Sequence, residues 1–137
     1  MREMTVVVGP HLTFQQFTAQ DFDQRGVYLV YRVNREDGRF RLIYIGKSSD
    51  ISDRVTDEHE HFHDWVRWAY DNVCELRFSV VKLPPGGDLN SCEEAMIYKF
   101  QPPINNRCKA TFDHEDIQIT FSGRNVCGRA MIEVFRT

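Results

Sequence analysis

Two tyrosines, a lysine and an arginine fall within the stretch GVYLVYRVNREDGRFRLIYIGKSSDISDR, from Gly26 to Arg54. Tyr28 and Tyr44 offer phenols for acid–base work, but a phenol titrates near pH ~10 and acts as a base near neutrality only where nearby cations lower it. Lys47 and Arg54 are such cations, and a guanidinium also presents a planar fork suited to phosphate. A little further on, His59-Glu60-His61-Phe62-His63 spells H-E-x-x-H. In that pattern two imidazoles one helical turn apart hold zinc beside a carboxylate base. No third ligand stands out, so zinc hydrolysis is carried as an alternative chemistry.

The elements that position these groups follow from the flanking pattern. Val27 to Val33 and Arg41 to Ile45 are rich in β-branched and aromatic residues and enclose a polar turn containing Asp37-Gly38, which predicts a β-hairpin. Strand alternation then puts Tyr28 and Tyr44 on one side, with Lys47 just beyond the second strand. Ser48-Ser49-Asp50 offers N-cap side chains. Ile51, Val55, His59, Phe62, Val66 and Tyr70 recur at helical intervals, so the spacing predicts one helix from Ile51 to about Tyr70. Arg54, in its first turn, can reach back toward the tyrosines or simply pair with Glu58 on the surface.

Val73 to Lys82 reads as a third strand beside the hairpin, broken by Pro84-Pro85-Gly86-Gly87. Asp88 or Asn90 caps a helix from about Leu89 to Phe100, halted by Pro102-Pro103. At the N-terminus Met4 to Val8 predicts a short strand without a readable partner, and Phe14, Phe17 and Phe22 a short covering element. Ile117 to Phe121 and Ala130 to Phe135 predict a C-terminal hairpin around Ser122-Gly123-Arg124-Asn125.

Gly26-Val27-Tyr28 and Tyr44-Ile45-Gly46, with an arginine eight residues after that last glycine, resemble the GIY-YIG nuclease family, Val replacing Ile in the first triplet. The family's later helix reads E-x-x-L-I-x-x-x-x-P-x-x-N, and Glu93 to Asn105 is similar to it with Met96 for Leu. The resemblance spans Gly26 to Asn105. It implies a single domain whose core, residues 26–105, is a small α/β fold with a mainly antiparallel three-stranded central sheet flanked by helices. Residues 1–25 and 106–137 would be extensions outside it.

The resemblance also implies a chemistry: metal-dependent hydrolysis of phosphodiester bonds in DNA. Glu93 would hold Mg²⁺ or Mn²⁺, one of the two tyrosines would serve as base, Tyr28 being favoured with Tyr44 in support, and Arg54 would stabilise the transition state. Lys47 would orient water or phosphate, and Asn105 would close the site. Many members carry His or Tyr four residues after the arginine; here that position is Glu58, and His59 stands one residue later. Lys47, Arg54, Arg107 and Lys109 are the expected DNA contacts, with Arg124 and Arg129 as additions. One core gives one catalytic centre, so double-strand cutting would call for a second subunit, as in a homodimer, or a second binding event. A binding module that keeps the fold without cutting is the other alternative.

Composition sets outer limits. A chain of 137 residues is one domain by length and can bury a proper core. Its net charge of −3 opposes bulk electrostatic binding of nucleic acid, so any phosphate contact rests on local cations. Arginine outnumbers lysine 13 to 4. No apolar run reaches membrane-spanning length and no basic-then-apolar leader opens the chain, which predicts a cytoplasmic protein whose cysteines, Cys74, Cys92, Cys108 and Cys127, are reduced.

Overall fold

The computed structural model describes residues 1–124, 126 and 128–137. Among them, six strands form one sheet: β1 (Arg2–Val8), β2 (Gly26–Asn34), β3 (Phe40–Ser48), β4 (Cys74–Lys82), β5 (Ile117–Gly123) and β6 (Met131–Val134). The order across the sheet is β3-β2-β4-β1-β5-β6. Four helices accompany it: α1 (Phe14–Thr18), α2 (Ile51–Arg54), α3 (Phe62–Ala69) and α4 (Leu89–Phe100).

This corrects the expected three-stranded, mainly antiparallel sheet flanked by helices. The sheet has six strands, is mixed because β1 runs parallel to β5, and curls into a half-barrel with few helices. The reason is physical. Alternation of apolar and polar residues marks a strand and its buried face but not the edge it joins. In β1, Met4, Val6 and Val8 are buried between exposed neighbours. Val7 and Val8 meet Lys82 and Val81 of β4, while the whole of β1 runs beside β5. The termini, expected outside the core, thus complete the sheet.

Helix α4 touches β2 and β3 as well as β5 and β6, so the sheet wraps round it. Its Cys92, Ala95, Met96 and Ile97 pack with Val27, Leu29, Ile45, Ile117, Ile119 and Ile132 in the larger of two apolar clusters. The other face of β2, β3 and β4 carries Tyr28, Val30, Ile43, Leu76 and Phe78 under Phe17, Ile51 and Trp65 from α1, α2 and α3. Burying both faces fixes the register of the β2–β3 hairpin. Helix α4 spans the residues read from sequence: Asp88 accepts from the Asn90 and Ser91 N–H groups, and Gln101, at φ 52°, turns the chain into Pro102.

The single helix expected from Ile51 to Tyr70 is two, with a turn between. Thr56 to His61 is an unbroken polar run, so a continuous helix would have had only His59 to bury there. Instead α2 stops at Arg54, the His59 N–H bonds to Thr56 O at 3.1 Å, and α3 starts afresh at Phe62. His59 and His63 therefore do not share a helix, which corrects the zinc pattern's premise. No described helix is long and apolar enough to cross a membrane. Cys74, Cys92 and Cys108 are free thiols, while Cys127 and the turn residue Asn125 lie outside the described residues.

Candidate active site

In the β2–β3 hairpin Tyr28 pairs with Gly46, and Val30 with Tyr44. The two tyrosines are therefore diagonal neighbours on one face, with ring centroids 6.2 Å apart. Both motif glycines have a packing cause. A Cβ at Gly46 would collide with Cζ and Oη of Tyr28, whose ring lies across the strand there. A Cβ at Gly26 would stand 2.8 Å from the Val81 carbonyl oxygen.

Tyr28 is buried, and its Oη lies 2.8 Å from His59 Nε2. The other ring nitrogen of His59, Nδ1, accepts the His61 backbone N–H at 3.0 Å. Only an unprotonated nitrogen accepts, so the neutral ring carries its proton on Nε2 and donates it to Tyr28 Oη. His59 is 4 % exposed, and its ring lies 4.3 Å from that of Trp65. Burial, with Arg54 adding to it, pushes its pKa down to about 4, so the imidazole is neutral at pH 7. Burial likewise raises the Tyr28 phenol well above its ordinary range, with Tyr44 adding to the shift; Arg54 opposes this without overcoming it. The Tyr44 phenol is also raised, first by burial and then by Glu60.

Arg54, the last residue of α2, donates to Glu60 Oε1 at 2.6 Å, and this hydrogen bond holds the guanidinium charged. Glu93 projects from the second turn of α4 and is 2 % exposed. Its Oε1 accepts from Arg107 Nη2 at 3.1 Å and faces Lys47 Nζ at 3.8 Å. Burial nevertheless raises its pKa, with Arg107 and Lys47 pulling the other way. Lys47 is further held by the Asn90 side-chain oxygen.

Asn105 hydrogen-bonds to backbone within the protein. Its Oδ1 accepts from Ile45 N at 2.9 Å and its Nδ2 donates to Ile45 O at 2.8 Å, an amide pairing with the free edge of β3. Ile104 N adds a bond to Ile43 O at 3.1 Å. The segment after Pro102-Pro103 is thus fastened to the sheet edge, which fixes where Arg107 emerges.

Six of the seven residues expected to act, Tyr28, Tyr44, Lys47, Arg54, Glu93 and Asn105, line one cleft of about 420 Å³ together with Arg107. The seventh, His59, sits behind Tyr28. Lys109 does not line it; its Nζ donates to the Pro102 carbonyl at 2.7 Å. Arg124 borders a separate hollow beside His11 and Phe40. Sequence reasoning missed Glu60 as the partner of Arg54, and His61, whose ring packs 5.0 Å from that of Tyr44 in the cleft wall. The one available signal was the polar run itself, whose lack of apolar positions implies a turn rather than a helix.

The donor set can be weighed for a metal. It offers the buried Glu93 carboxylate, the Glu60 carboxylate already held by Arg54, phenol oxygens and the Asn106 side chain, and the cleft has room for water and a phosphate. Hard oxygen donors with a single buried carboxylate suit Mg²⁺ or Mn²⁺, which keep several waters, better than a softer ion. No protein-family model, curated protein or solved structure matches the chain.

Proposed function

We propose that this chain is a GIY-YIG-type endonuclease that hydrolyses phosphodiester bonds in DNA, with Glu93 as the residue that would hold Mg²⁺ or Mn²⁺. One observation carries the reading. Side chains from β2, β3, α2 and α4, separated by up to 65 residues from Tyr28 to Glu93, converge on one cleft in which a buried carboxylate faces two cations, Lys47 and Arg107, and a third, Arg54, lines the same wall paired with Glu60. A plain structural ion pair does not require two tyrosines and an arginine from other elements beside it.

The residues divide the work. Lys47 and Arg54 bind the non-bridging phosphate oxygens, and Arg54 stabilises the charge that builds on phosphorus during attack. Glu60 holds Arg54 in place by accepting its hydrogen bond. When bound, the metal supplies positive charge that neutralises the phosphodiester and the departing 3′ oxygen. Tyr28, in the small phenolate fraction that its raised pKa leaves near neutrality, takes a proton at Oη from the attacking water; the P–O3′ bond breaks and the 3′ oxygen is protonated from solvent. His59 donates Nε2–H to that same Oη, which stabilises the phenolate. Its neutral ring and fixed tautomer make it a positioning residue rather than the base. Tyr44 closes the wall beside Tyr28 and limits water.

The competing reading is a DNA- or protein-binding module on this cleft, and the Arg107–Glu93 pair together with the net charge of −3 favours it. Zinc hydrolysis has less support, since both ring nitrogens of His59 are engaged and His63 lies on a separate element. Incubation of supercoiled plasmid and a labelled duplex with Mg²⁺, with chelator, and with the Tyr28→Phe and Arg54→Ala proteins separates the two main readings. A nuclease nicks only with metal and loses activity in both variants. A binding module retards the duplex and nicks nothing. Sedimentation with and without DNA tests whether two copies assemble on it.

A further inference from the structure

Glu93 is the only carboxylate expected to meet the metal, yet its Oε1 already receives both Arg107 at 3.1 Å and Lys47 at 3.8 Å. The two cations are held very differently. Lys47 leaves a strand and is anchored by the Asn90 side chain. Arg107 rises from the loop behind Asn105, its side chain is 60 % exposed, and its second contact is Nη1 to Cys108 Sγ at 3.1 Å, a weak acceptor. Arg107 is therefore the partner that can leave.

A divalent cation on Glu93 and a guanidinium on the same oxygen repel each other, so each weakens the other's hold. A phosphate entering the cleft changes that balance, because it offers Arg107 a bidentate anionic partner beside the one it gives up. Building on the nuclease reading, we propose that Arg107 is a latch: it neutralises Glu93 in the DNA-free protein and transfers to a DNA phosphate on binding, so that metal and DNA bind cooperatively. The coupling is reciprocal, since whatever DNA does for the metal the metal must do for DNA. Its consequence is a chain that binds metal more weakly until substrate fills the cleft.

The test is Mn²⁺ binding followed by electron paramagnetic resonance of the free ion, using wild type, Arg107→Gln and Glu93→Gln without DNA. The same titration is run with a short duplex in a Tyr28→Phe background, so that the DNA stays intact. Arg107→Gln is expected to bind Mn²⁺ about tenfold more tightly than wild type in the absence of DNA. The duplex is expected to tighten Mn²⁺ about tenfold more for Tyr28→Phe than for Tyr28→Phe/Arg107→Gln, and equal tightening in the two overturns the latch. Equal Mn²⁺ affinity of wild type and Arg107→Gln, with binding still lost in Glu93→Gln, overturns the latch and leaves the metal site standing. Failure of every variant to bind Mn²⁺, with and without DNA, overturns the metal site and the latch with it. Arg107→Lys, which keeps the charge without the fork, is expected to fall between wild type and Arg107→Gln.

Discussion

Replacing His59 with Gln removes a titrating group while keeping a donor near Tyr28 Oη. In the folded chain His59 is held neutral, its pKa lowered to about 4 by burial, whereas in the unfolded chain it titrates near 6.5. The unfolded state therefore binds the extra proton first as pH falls. Stability associated with the neutral ring is fully present above pH ~7 and is lost progressively as the pH drops toward the folded value. Between pH 8 and pH 4.5 that amounts to about 2–3 kcal/mol for a shift of this size. The assay is urea unfolding of wild type and His59→Gln at a series of pH values. Glu93 and the other carboxylates titrate in both proteins and cancel in the difference, leaving the His59 contribution. The account predicts that the stability gap between the two proteins changes by about 2–3 kcal/mol over this range, in the direction of wild type losing more. Parallel curves would refute the lowered pKa of the buried His59 ring.

Three further predictions follow from the same geometry. For Gly46→Ala the added methyl meets the Tyr28 ring, so thermal unfolding should report a loss of about 1–3 kcal/mol and cleavage should fall with it; an unchanged melting temperature would mean the ring does not lie across the strand. Asn105→Ala leaves the buried Ile45 N–H and carbonyl without their partner, a cost of about 2–4 kcal/mol in denaturant unfolding, whereas a purely substrate-contacting Asn would lower activity at unchanged stability. If the Tyr28 phenolate is the base and its pKa lies above the ordinary phenol value, kcat/KM at fixed metal should rise about tenfold per pH unit from pH 6 to 9 with no inflection from His59. A plateau beginning near pH 7 would point to a different base.

The parts of the molecule that were legible in the sequence are those set by local pattern. The hairpin follows from β-branched runs around Asp37-Gly38, and helix α4 from Asp88 at one end and Pro102 at the other. The diagonal placement of Tyr28 and Tyr44 follows from alternation and register. What was not legible depends on partners distant in sequence. Nothing in Met4 to Val8 announces that it will lie parallel to Ile117 to Gly123, so the six-stranded mixed sheet was missed. The break after Arg54 was hidden because His59 fits an apolar helical position by spacing while its burial is achieved from a turn. Arg107 was read as a DNA contact, and its hold on Glu93 depends on the loop anchored by Asn105, which spacing alone does not reveal. Lys109 looked equivalent to Arg107 in sequence but spends its charge on the Pro102 carbonyl.

The measurement that bears most directly on the central claim is single-turnover cleavage of a labelled DNA duplex by wild type and Glu93→Gln at equal Mg²⁺. The substitution is isosteric but leaves Arg107 and Lys47 without their anionic partner, so the variant's fold is checked by circular dichroism and thermal unfolding before its cleavage is compared. The account predicts metal-dependent cutting by wild type and a loss of at least about a hundredfold in the folded variant, the scale of removing one preorganised electrostatic group. Equal cleavage by the two proteins, or none by wild type on any duplex tried, would contradict it.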